Sequence, residues 1–437
     1  MDALWWLANM ARFGSAHGDD ALQLSTLLPG LQTVLAGLIP SGTLRNSSSD
    51  GWLHVAGCSS PEYPGGSGRS DCSYHLAIIR WAAATAAALA QAGGPPGSAA
   101  LPLYTDLLRR LAPAPVDPAT GALEVAAGLP FAQPHRHYSH LLALHDLGQP
   151  GASALPAGSA PPIPTSTLAA TLDQWWNITC SGPQAHGPGW LGDHECRGFT
   201  QAAMAAMSGR LNRTGAALGN LTSYLALVGL PNGMYGEEVY AGHPEQFSPV
   251  SESAYSAAAS VYGLLLAGSP DSSSASSAAG ECALFGDGSV PLQRPVRVSL
   301  WPAAPWANAS FFRLRAPCGA LLVSAQRAGG ATEWVSLEAV AGAGGGGLGQ
   351  AVAVLLHCPD WEGVGQRGVA GGAGVAAQAV GPGQWLVSGL LRGQAVGLWP
   401  AAAAAAAPDF VVREAVGRNS SEYNWWGSTF VYAGELP

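Results

Sequence analysis

Three histidines and one arginine lie within a six-residue stretch of the segment QPHRHYSHLLA, which spans residues 133–143. They are His135, Arg136, His137 and His140. Imidazole and guanidinium groups donate hydrogen bonds to hydroxyl-rich ligands, and imidazole also binds zinc. Because no cysteine or carboxylate stands at ligand spacing beside these residues, the pattern favours a polar ligand site over a zinc site. An ordinary polar surface is the remaining alternative.

Two glutamates are candidates for acid–base chemistry. Glu62 follows Pro61 in the segment SSPEY, in a loop that also contains Trp52 and His54. Proline stiffens the backbone, and an acid held beside aromatic rings can stay protonated and act as a general acid. Glu252 lies in PVSESAYS, at the start of a predicted helix. For Glu62 the alternative is a solvated loop carboxylate, and for Glu252 it is a residue favoured by the helix dipole.

The elements that must position these residues begin with a helical part. Apolar residues at helical spacing predict nine helices, over residues 4–13, 20–38, 74–91, 101–111, 138–147, 165–176, 199–212, 215–228 and 251–266. Pro29 and Gly30 are expected to break or kink the second helix. No strand is predicted before residue 268, so the segment 40–71 is predicted to be a loop. Asp71 is the predicted cap of the third helix.

The apolar period changes to two in the last third of the chain. It predicts short strands over residues 296–300, 311–314, 320–326, 332–337, 351–356, 384–387, 410–413 and 429–433. Short strands with Gly- and Pro-rich turns are typical of an antiparallel sandwich. The segment DSSSASSAAG has the composition of a linker. We therefore expect a helical domain over residues 1–270, a Ser/Ala-rich linker over 271–290 and a β-sandwich domain over 291–437.

Charge and composition argue against several partners. The formal net charge is −9, and all 19 basic residues are arginines without a basic stripe, so we expect no nucleic-acid partner. No apolar run is long enough to span a bilayer, so no membrane span is expected. The seven cysteines contain no CxxC pair, which argues against structural zinc. The pairs Cys58/Cys72 and Cys180/Cys196 are close enough in sequence to form disulfides.

Two features of the sequence favour different compartments. Six Asn-x-Ser/Thr sequons favour a secreted, vacuolar or cell-wall glycoprotein, and they begin at Asn46, Asn177, Asn212, Asn220, Asn308 and Asn419. The first residues, MDALWWLANMARF, lack the basic start and sustained apolar core of a signal peptide. The sequence therefore predicts either an intracellular protein or a chain that begins after its natural N-terminus.

The histidine segment resembles a known signature. HRHYSHL is similar to the HRHxSHL motif of glycoside hydrolase family 95, the inverting fucosidases and galactosidases built on an (α/α)6 barrel. Other segments resemble that family in the same order: SPEY, DCSYHLAIIRW, LLRRLAPAP, HRHYSHL, GWLGDHECRGF, FSPVSESAYSAAASVYGLLLAG and LWPAAPWANASFFRLRAPCGALLVSAQRAGG. The resemblance covers most of the chain. It implies an incomplete (α/α)6 barrel-type helical domain followed by a C-terminal antiparallel β-sandwich.

The resemblance also implies roles for the candidate residues. Glu62 matches the family's general acid in SPEN, and Glu252, with Glu245 as the alternative, takes the place of the aspartate in IDGN that activates water. The expected sugar-binding residues are His135, Arg136, His137 and His140, and the expected pocket lining is Asp71, Trp190, His194 and Tyr235. The partner is a carbohydrate, and no metal or organic cofactor is expected. Glu62 and Glu252 should hold their carboxyl groups roughly 6.5–9.5 Å apart.

The sequence also departs from the family's pattern. Tyr63 stands in place of the asparagine of SPEN, Glu252 lies in SES instead of IDGN, and no Asn-x-Asn segment precedes Glu62. We therefore expect a chain that begins after that segment, and a helix over residues 4–13 that exposes a Trp-bearing apolar face. A non-catalytic carbohydrate-binding or wall-associated glycoprotein that kept the fold is the alternative function.

Overall fold

A computed structural model gives the fold of the chain. It describes residues 2–17, 22–92, 99–145, 147, 155–181, 195–196, 198–228, 236–239, 247–249, 251–267, 296–301, 307–316, 321–339, 351–362, 367–371 and 374–400. Helices lie in the first part of these residues and most strands in the second. The coarse prediction of a helical part followed by a strand-rich part is therefore confirmed.

The described residues form nine α-helices, and each predicted helix corresponds to a helical segment. The helices are α1 Asp2–His17, α2 Leu28–Gly37, α3 Ser73–Ala92, α4 Leu101–Arg110, α5 Leu142–His145, α6 Thr165–Trp176, α7 Gly198–Arg210, α8 Thr214–Val228 and α9 Ser251–Leu265. Within the part of the chain that the structure describes, no helix combines the length and the apolar character needed to cross a membrane.

The second predicted helix is divided. A π-helical turn, Gln23–Leu27, leads directly into α2, and Pro29 lies in the first turn of α2. Pro29 has no N–H to offer to the preceding turn, so the backbone leaves regular α geometry before it and resumes it afterwards. Gly30 lies close to α1, because a Cβ at this position would be 2.9 Å from Leu7 Cδ2.

The first four helices share one hydrophobic core. Leu4 of α1, Leu31 of α2, Ile79 of α3 and Tyr104 of α4 are all fully buried in it. The opposite face of α1 exposes Trp6 at 66%, as the sequence predicted. A second core joins α5, α6 and α7, and a third joins α7, α8 and α9.

The prediction that no strand precedes residue 268 is wrong. Short two-stranded sheets lie between the helices: β1 Leu44–Asn46 with β2 Leu53–Val55, β3 Cys58–Ser59 with β4 Ser67–Arg69, and β5 Gly236–Val239 with β6 Phe247–Pro249. Strands of two to four residues are too short to produce a clear alternating pattern in the sequence. The predicted loop 40–71 therefore contains two small hairpins, and the second of them carries Glu62.

The strand-rich part contains two five-stranded sheets. Its strands are β7 Leu266–Ala267, β8 Val296–Leu300, β9 Ala309–Arg315, β10 Leu321–Ala328, β11 Ala331–Ala339, β12 Val352–His357, β13 Arg367–Gly371, β14 Ala376–Gly381, β15 Gln384–Leu390 and β16 Ala395–Pro400. One sheet has the order β13-β16-β11-β10-β9 and the other β14-β15-β12-β8-β7. Buried residues of both sheets form a single hydrophobic core.

One pairing departs from the antiparallel prediction. β8 and β12 are parallel, with Val296 opposite Val354. The chain leaves this sheet after β8, forms β9, β10 and β11 in the other sheet, and returns as β12, which is the crossover that a parallel pair requires. The other strand pairs of the two sheets are antiparallel.

Four strands of the sheets were not predicted. One is β7, which begins at the last residue of the helix predicted over residues 251–266. β13, β14 and β16 have the sequences RGVAG, AAQAVG and AVGLWP, whose glycine and alanine have low strand propensity. Each forms by pairing with another strand: β16 pairs with β11, β13 with β16, and β14 with β15. The predicted strands over residues 410–413 and 429–433, and the linker over 271–290, lie outside the described residues.

Candidate functional site

The loop that carries Glu62 connects β3 and β4. Cys58 and Cys72 form a disulfide that closes this loop, and the backbone N–H of Ser60 donates to the carbonyl oxygen of Gly66 at 3.0 Å. Glu62 itself has a φ of 53°, in the left-handed region that side chains other than glycine rarely occupy. Backbone strain of this kind often accompanies a functional position. The Glu62 side chain is 60% exposed.

The backbone of the histidine segment is fixed by α6 and the π-helical turn that follows it, Asn177–Ser181. The indole Nε1–H of Trp175 donates to the carbonyl oxygen of His135 at 3.0 Å, and the Thr179 hydroxyl donates to the same oxygen at 3.3 Å. The side-chain hydroxyls of Ser60 and Ser139 lie 2.6 Å apart, so the Glu62 loop and the histidine segment are also joined directly. These contacts hold two distant segments in one place.

Arg136 lies between two carboxylates. Its Nη2 donates to Glu62 Oε2 at 3.1 Å, and its Nη1 lies 3.4 Å from Glu195 Oε1. The backbone N–H of Arg136 also donates to Glu195 Oε2. His137 Nε2 lies 3.6 Å from Glu62 Oε2, and His135 Nδ1 lies 3.6 Å from Glu195 Oε2. The five residues therefore form one charge cluster, which we call the Arg136 cluster.

Glu195 is the buried acid of the Arg136 cluster. Its side chain is only 9% exposed. Burial by itself acts to raise the pKa of Glu195, but hydrogen bonds from the His135 side chain and the Arg136 backbone, together with the charges of both residues, outweigh it and lower the pKa. Glu195 is therefore ionised at neutral pH and satisfied by its neighbours.

His137 lies at the solvent side of the Arg136 cluster. Burial, the neighbouring His135 and the positive charge of Arg136 lower the pKa of His137, although Glu62 and Glu195 act in the opposite direction. A neutral imidazole is both a donor and an acceptor, so it can form two hydrogen bonds with a polyol. The centroid of the His135 ring lies 4.9 Å from that of His137.

The remaining histidine of the motif lies behind the Arg136 cluster, in the core. His140 is 2% exposed and stacks on Phe131, with ring centroids 4.9 Å apart. Burial lowers the pKa of His140 to about 3. It belongs to a 3-10 turn, Ser139–Leu141, that precedes α5, and not to the first turn of the α-helix itself. In this position His140 supports Phe131 from inside the fold.

The prediction that Asp71 caps the third helix is wrong. α3 begins at Ser73, and Asp71 has a φ of 52°. Its Oδ1 accepts from the backbone N–H of Val55 at 2.8 Å, and its Oδ2 lies 2.6 Å from His54 Nδ1. His54 also contacts Asp50, with Nε2 3.1 Å from Oδ2. Asp71 thus ties β2 to the start of α3, and its role in lining a sugar pocket stays a prediction.

Several predicted site residues are not located by the described structure. Trp190, His194, Tyr235 and Glu245 lie outside the described residues. The backbone of Glu252 lies in the first turn of α9, as predicted, but its side chain is not part of what the structure describes. The separation of the Glu62 and Glu252 carboxyl groups therefore stays a prediction.

Glu195 was missed in the sequence, although it lies within the segment GWLGDHECRGF. It precedes Cys196, which forms a disulfide with Cys180 at the end of the π-helical turn. The Thr200 hydroxyl donates to the carbonyl oxygen of Glu195 at 2.7 Å. A carboxylate beside a candidate disulfide was the available signal, because such a position is held rigidly.

Among the described residues, one group of three potential metal ligands lies close together, and it consists of Cys58, Cys72 and His75. Both sulfurs are joined in the disulfide, so neither offers the thiolate that a metal requires.

Searches with protein-family models and with curated proteins found no match to this chain.

Proposed function

We propose that this protein is a divergent member of glycoside hydrolase family 95, which hydrolyses an α-L-fucoside or a related glycoside with inversion. In this proposal the helices form part of an (α/α)6 barrel, and the two sheets form a C-terminal β-sandwich domain. One observation carries the proposal. The SPEY segment and the HRHYSHL segment, 74 residues apart in sequence, meet where Arg136 Nη2 donates to Glu62 Oε2.

The chemistry follows from the roles assigned to these side chains. Glu62 donates a proton to the leaving oxygen, and it must release its ion pair with Arg136 each time it takes a proton up. Arg136 and His137 donate hydrogen bonds to the hydroxyls of the sugar. Glu252 assists the attack of water from the opposite side of the ring. No metal or organic cofactor enters this scheme.

The compartment and partner follow from the same proposal. The substrate is an oligosaccharide or polysaccharide outside the cytosol, in a secreted, vacuolar or cell-wall setting. The disulfides Cys58–Cys72 and Cys180–Cys196 support this setting, because such bonds persist in oxidising compartments.

Turnover of aryl glycosides tests the proposal. The purified full chain should release the aglycone from α-L-fucosides or α-galactosides, and NMR of the first sugar product should show the inverted anomer. Glu62→Gln should lower turnover of unactivated substrates by roughly 10²- to 10⁴-fold, and that of activated aryl glycosides less. Asp106→Asn is the control, because Asp106 pairs with Arg110 within α4. A retained anomer would exclude the inverting scheme.

A non-catalytic carbohydrate-binding protein is the second candidate. The exposure of Glu62 and its ion pair with Arg136 favour this alternative, because a side chain in this state is suited to accept hydrogen bonds from sugar hydroxyls. Sugar binding by calorimetry without turnover of any glycoside, weakened by Arg136→Met, would support the binding function over hydrolysis.

A further inference from the structure

We propose that Glu195 is a positioning residue, which holds Arg136 and His137 in place against Glu62. Glu195 carries out no chemical step of the proposed reaction. The inference deepens the proposed function, and it rests on that function only for the activity measurement. Its structural part states only how Glu195 holds the other residues of the Arg136 cluster, which can be tested without a substrate.

Glu195 and Glu62 bind different N–H groups of Arg136. One carboxylate oxygen of Glu195 accepts the backbone N–H of Arg136, and the other lies 3.4 Å from Nη1. The Nη2 nitrogen is then directed at Glu62, 3.1 Å away. Because a guanidinium is planar and rigid, fixing Nη1 also fixes the direction of Nη2. Glu195 thus determines which atoms of Arg136 reach the exposed acid.

Glu195 also reaches the next two residues of the motif. His135 Nδ1 lies 3.6 Å from Glu195 Oε2, and the His135 ring packs beside that of His137. Since His137 Nε2 approaches the same Glu62 oxygen as Arg136 does, the orientation of His135 and Arg136 sets the approach of His137. One buried carboxylate therefore supports both groups that contact Glu62.

Glu195 is itself held from several sides. Cys196, the next residue, is joined to Cys180 by a disulfide. The Thr200 hydroxyl donates to the Glu195 carbonyl oxygen. Thr179, one residue before Cys180, donates to the His135 carbonyl oxygen. The carboxylate and the segment it positions are therefore attached to the same π-helical turn, which is what precise positioning requires.

A double-mutant cycle tests this inference without any substrate. The pKa of His137 is followed by NMR of the imidazole ring, with His135, Arg136, Glu62 and Glu195 as the groups that face it. Because Glu62 acts to raise the pKa of His137, Glu62→Gln should lower it. In a Glu195→Gln background we expect that response to shrink, because Arg136 and His137 are no longer held against Glu62. Glu195→Asp keeps the charge and should preserve part of the response.

Activity supplies the second measurement. Glu195→Gln should lower kcat/KM by roughly 100-fold, mainly through kcat, since a misplacement of about 1 Å has that effect. Asp360→Asn is the matched control, because Asp360 is also a buried carboxylate paired with an arginine, Arg327 of β10, but it lies in the 3-10 turn that follows β12. It should lower stability and leave the His137 response unchanged.

The outcomes separate the two proposals. An equal response of His137 to Glu62→Gln with and without Glu195 would overturn the positioning role, whatever the activity. A diminished response in a protein that turns over no glycoside would support the positioning role and contradict the proposed hydrolysis. If Glu195→Gln does not fold, the Glu195→Asp protein decides: a His137 response below that of the wild type supports positioning, and a full response overturns it.

Discussion

Arg327 and Arg136 both bind carboxylates that are distant in sequence, but they do so in different surroundings. In the strand-rich part, Nη2 of Arg327 in β10 donates to Asp360 Oδ1 at 2.9 Å, and its Nε lies 2.8 Å from Oδ2. The Thr332 hydroxyl donates to Asp360 Oδ2 at 2.7 Å and accepts from the indole N–H of Trp301. Both carboxylate oxygens of Asp360 therefore have protein partners, and its side chain is only 10% exposed.

The Arg136 cluster differs from the Arg327 pair because one of its two carboxylates is exposed. Glu195 is enclosed like Asp360, but Glu62 faces solvent with more than half of its side chain exposed. An enclosed network has little left to offer a ligand, so it stabilises the fold. A network that ends in an exposed carboxylate and a half-buried imidazole can exchange its outer hydrogen bonds for those of a ligand. The contrast supports the ligand-binding role proposed for the Arg136 cluster, whereas the Arg327 pair is suited to stabilise the fold.

The largest expected effect is a difference in the free energy of unfolding that each network contributes. Asp360→Ala should lower the free energy of unfolding by about 3–5 kcal/mol, because it removes the carboxylate from a buried, hydrogen-bonded ion pair. Glu62→Ala should cost less than about 1 kcal/mol, because the pair it breaks is exposed. Urea unfolding followed by circular dichroism measures both. Equal costs would remove the distinction between an enclosed and an open network.

The next effect concerns the disulfide beside Glu195. Replacing Cys180 and Cys196 together by serine should cost about 2–4 kcal/mol, because the unfolded chain regains the freedom of the closed loop. Sugar binding or turnover should also fall, since Glu195 loses one of its anchors. The control replaces Cys358, a buried cysteine that follows β12 and takes part in neither disulfide, by alanine. Unchanged function in the double serine variant would show that Glu195 is held well enough by its other contacts.

A smaller effect distinguishes His140 from the exposed part of the motif. Its pKa of about 3 lies below the unfolded value of about 6.5, so the unfolded chain binds the proton first as the pH falls. Stability is therefore lost below about pH 6.5, and by pH 4.5 the loss from this residue is about 2–3 kcal/mol. His140→Leu should flatten the pH dependence of the urea midpoint between these values. A slope equal to that of the wild type would contradict the burial of His140.

The smallest expected effect has the opposite sign. The hydrogen bond with Asp71 is the main cause that raises the pKa of His54 above its ordinary value, against the effect of burial. This contribution to stability is complete below the unfolded pKa of about 6.5 and is lost as the pH rises through the folded pKa. We expect a loss of at most about 1 kcal/mol, because the pair is partly exposed. In His54→Gln, urea midpoints at pH 6 and pH 9 should differ less than in the wild type.

The sequence by itself determined where most elements lie. In α6, Leu168, Thr171, Leu172 and Trp175 are buried at helical spacing, and the predicted bounds coincide with the helix. In β12, buried and half-buried residues alternate along the strand, as the period of two predicted. Burial of one face imposes its period on the sequence, so both elements were readable without any partner. The histidine motif and Glu62 could be selected because their residue types carry chemistry.

Only the tertiary structure decided which of these residues meet. Glu195 is 59 residues from Arg136 in sequence, and a single contacting carboxylate leaves no periodic pattern from which its partner could be predicted. The same reason explains why His140 could be grouped with His137 in the sequence although it lies in the core. β13, β14 and β16 form on edges supplied by other strands, so their weak propensities gave no signal. Local spacing records the face that an element buries, whereas contacts between distant segments depend on how the elements pack, which the linear sequence does not display.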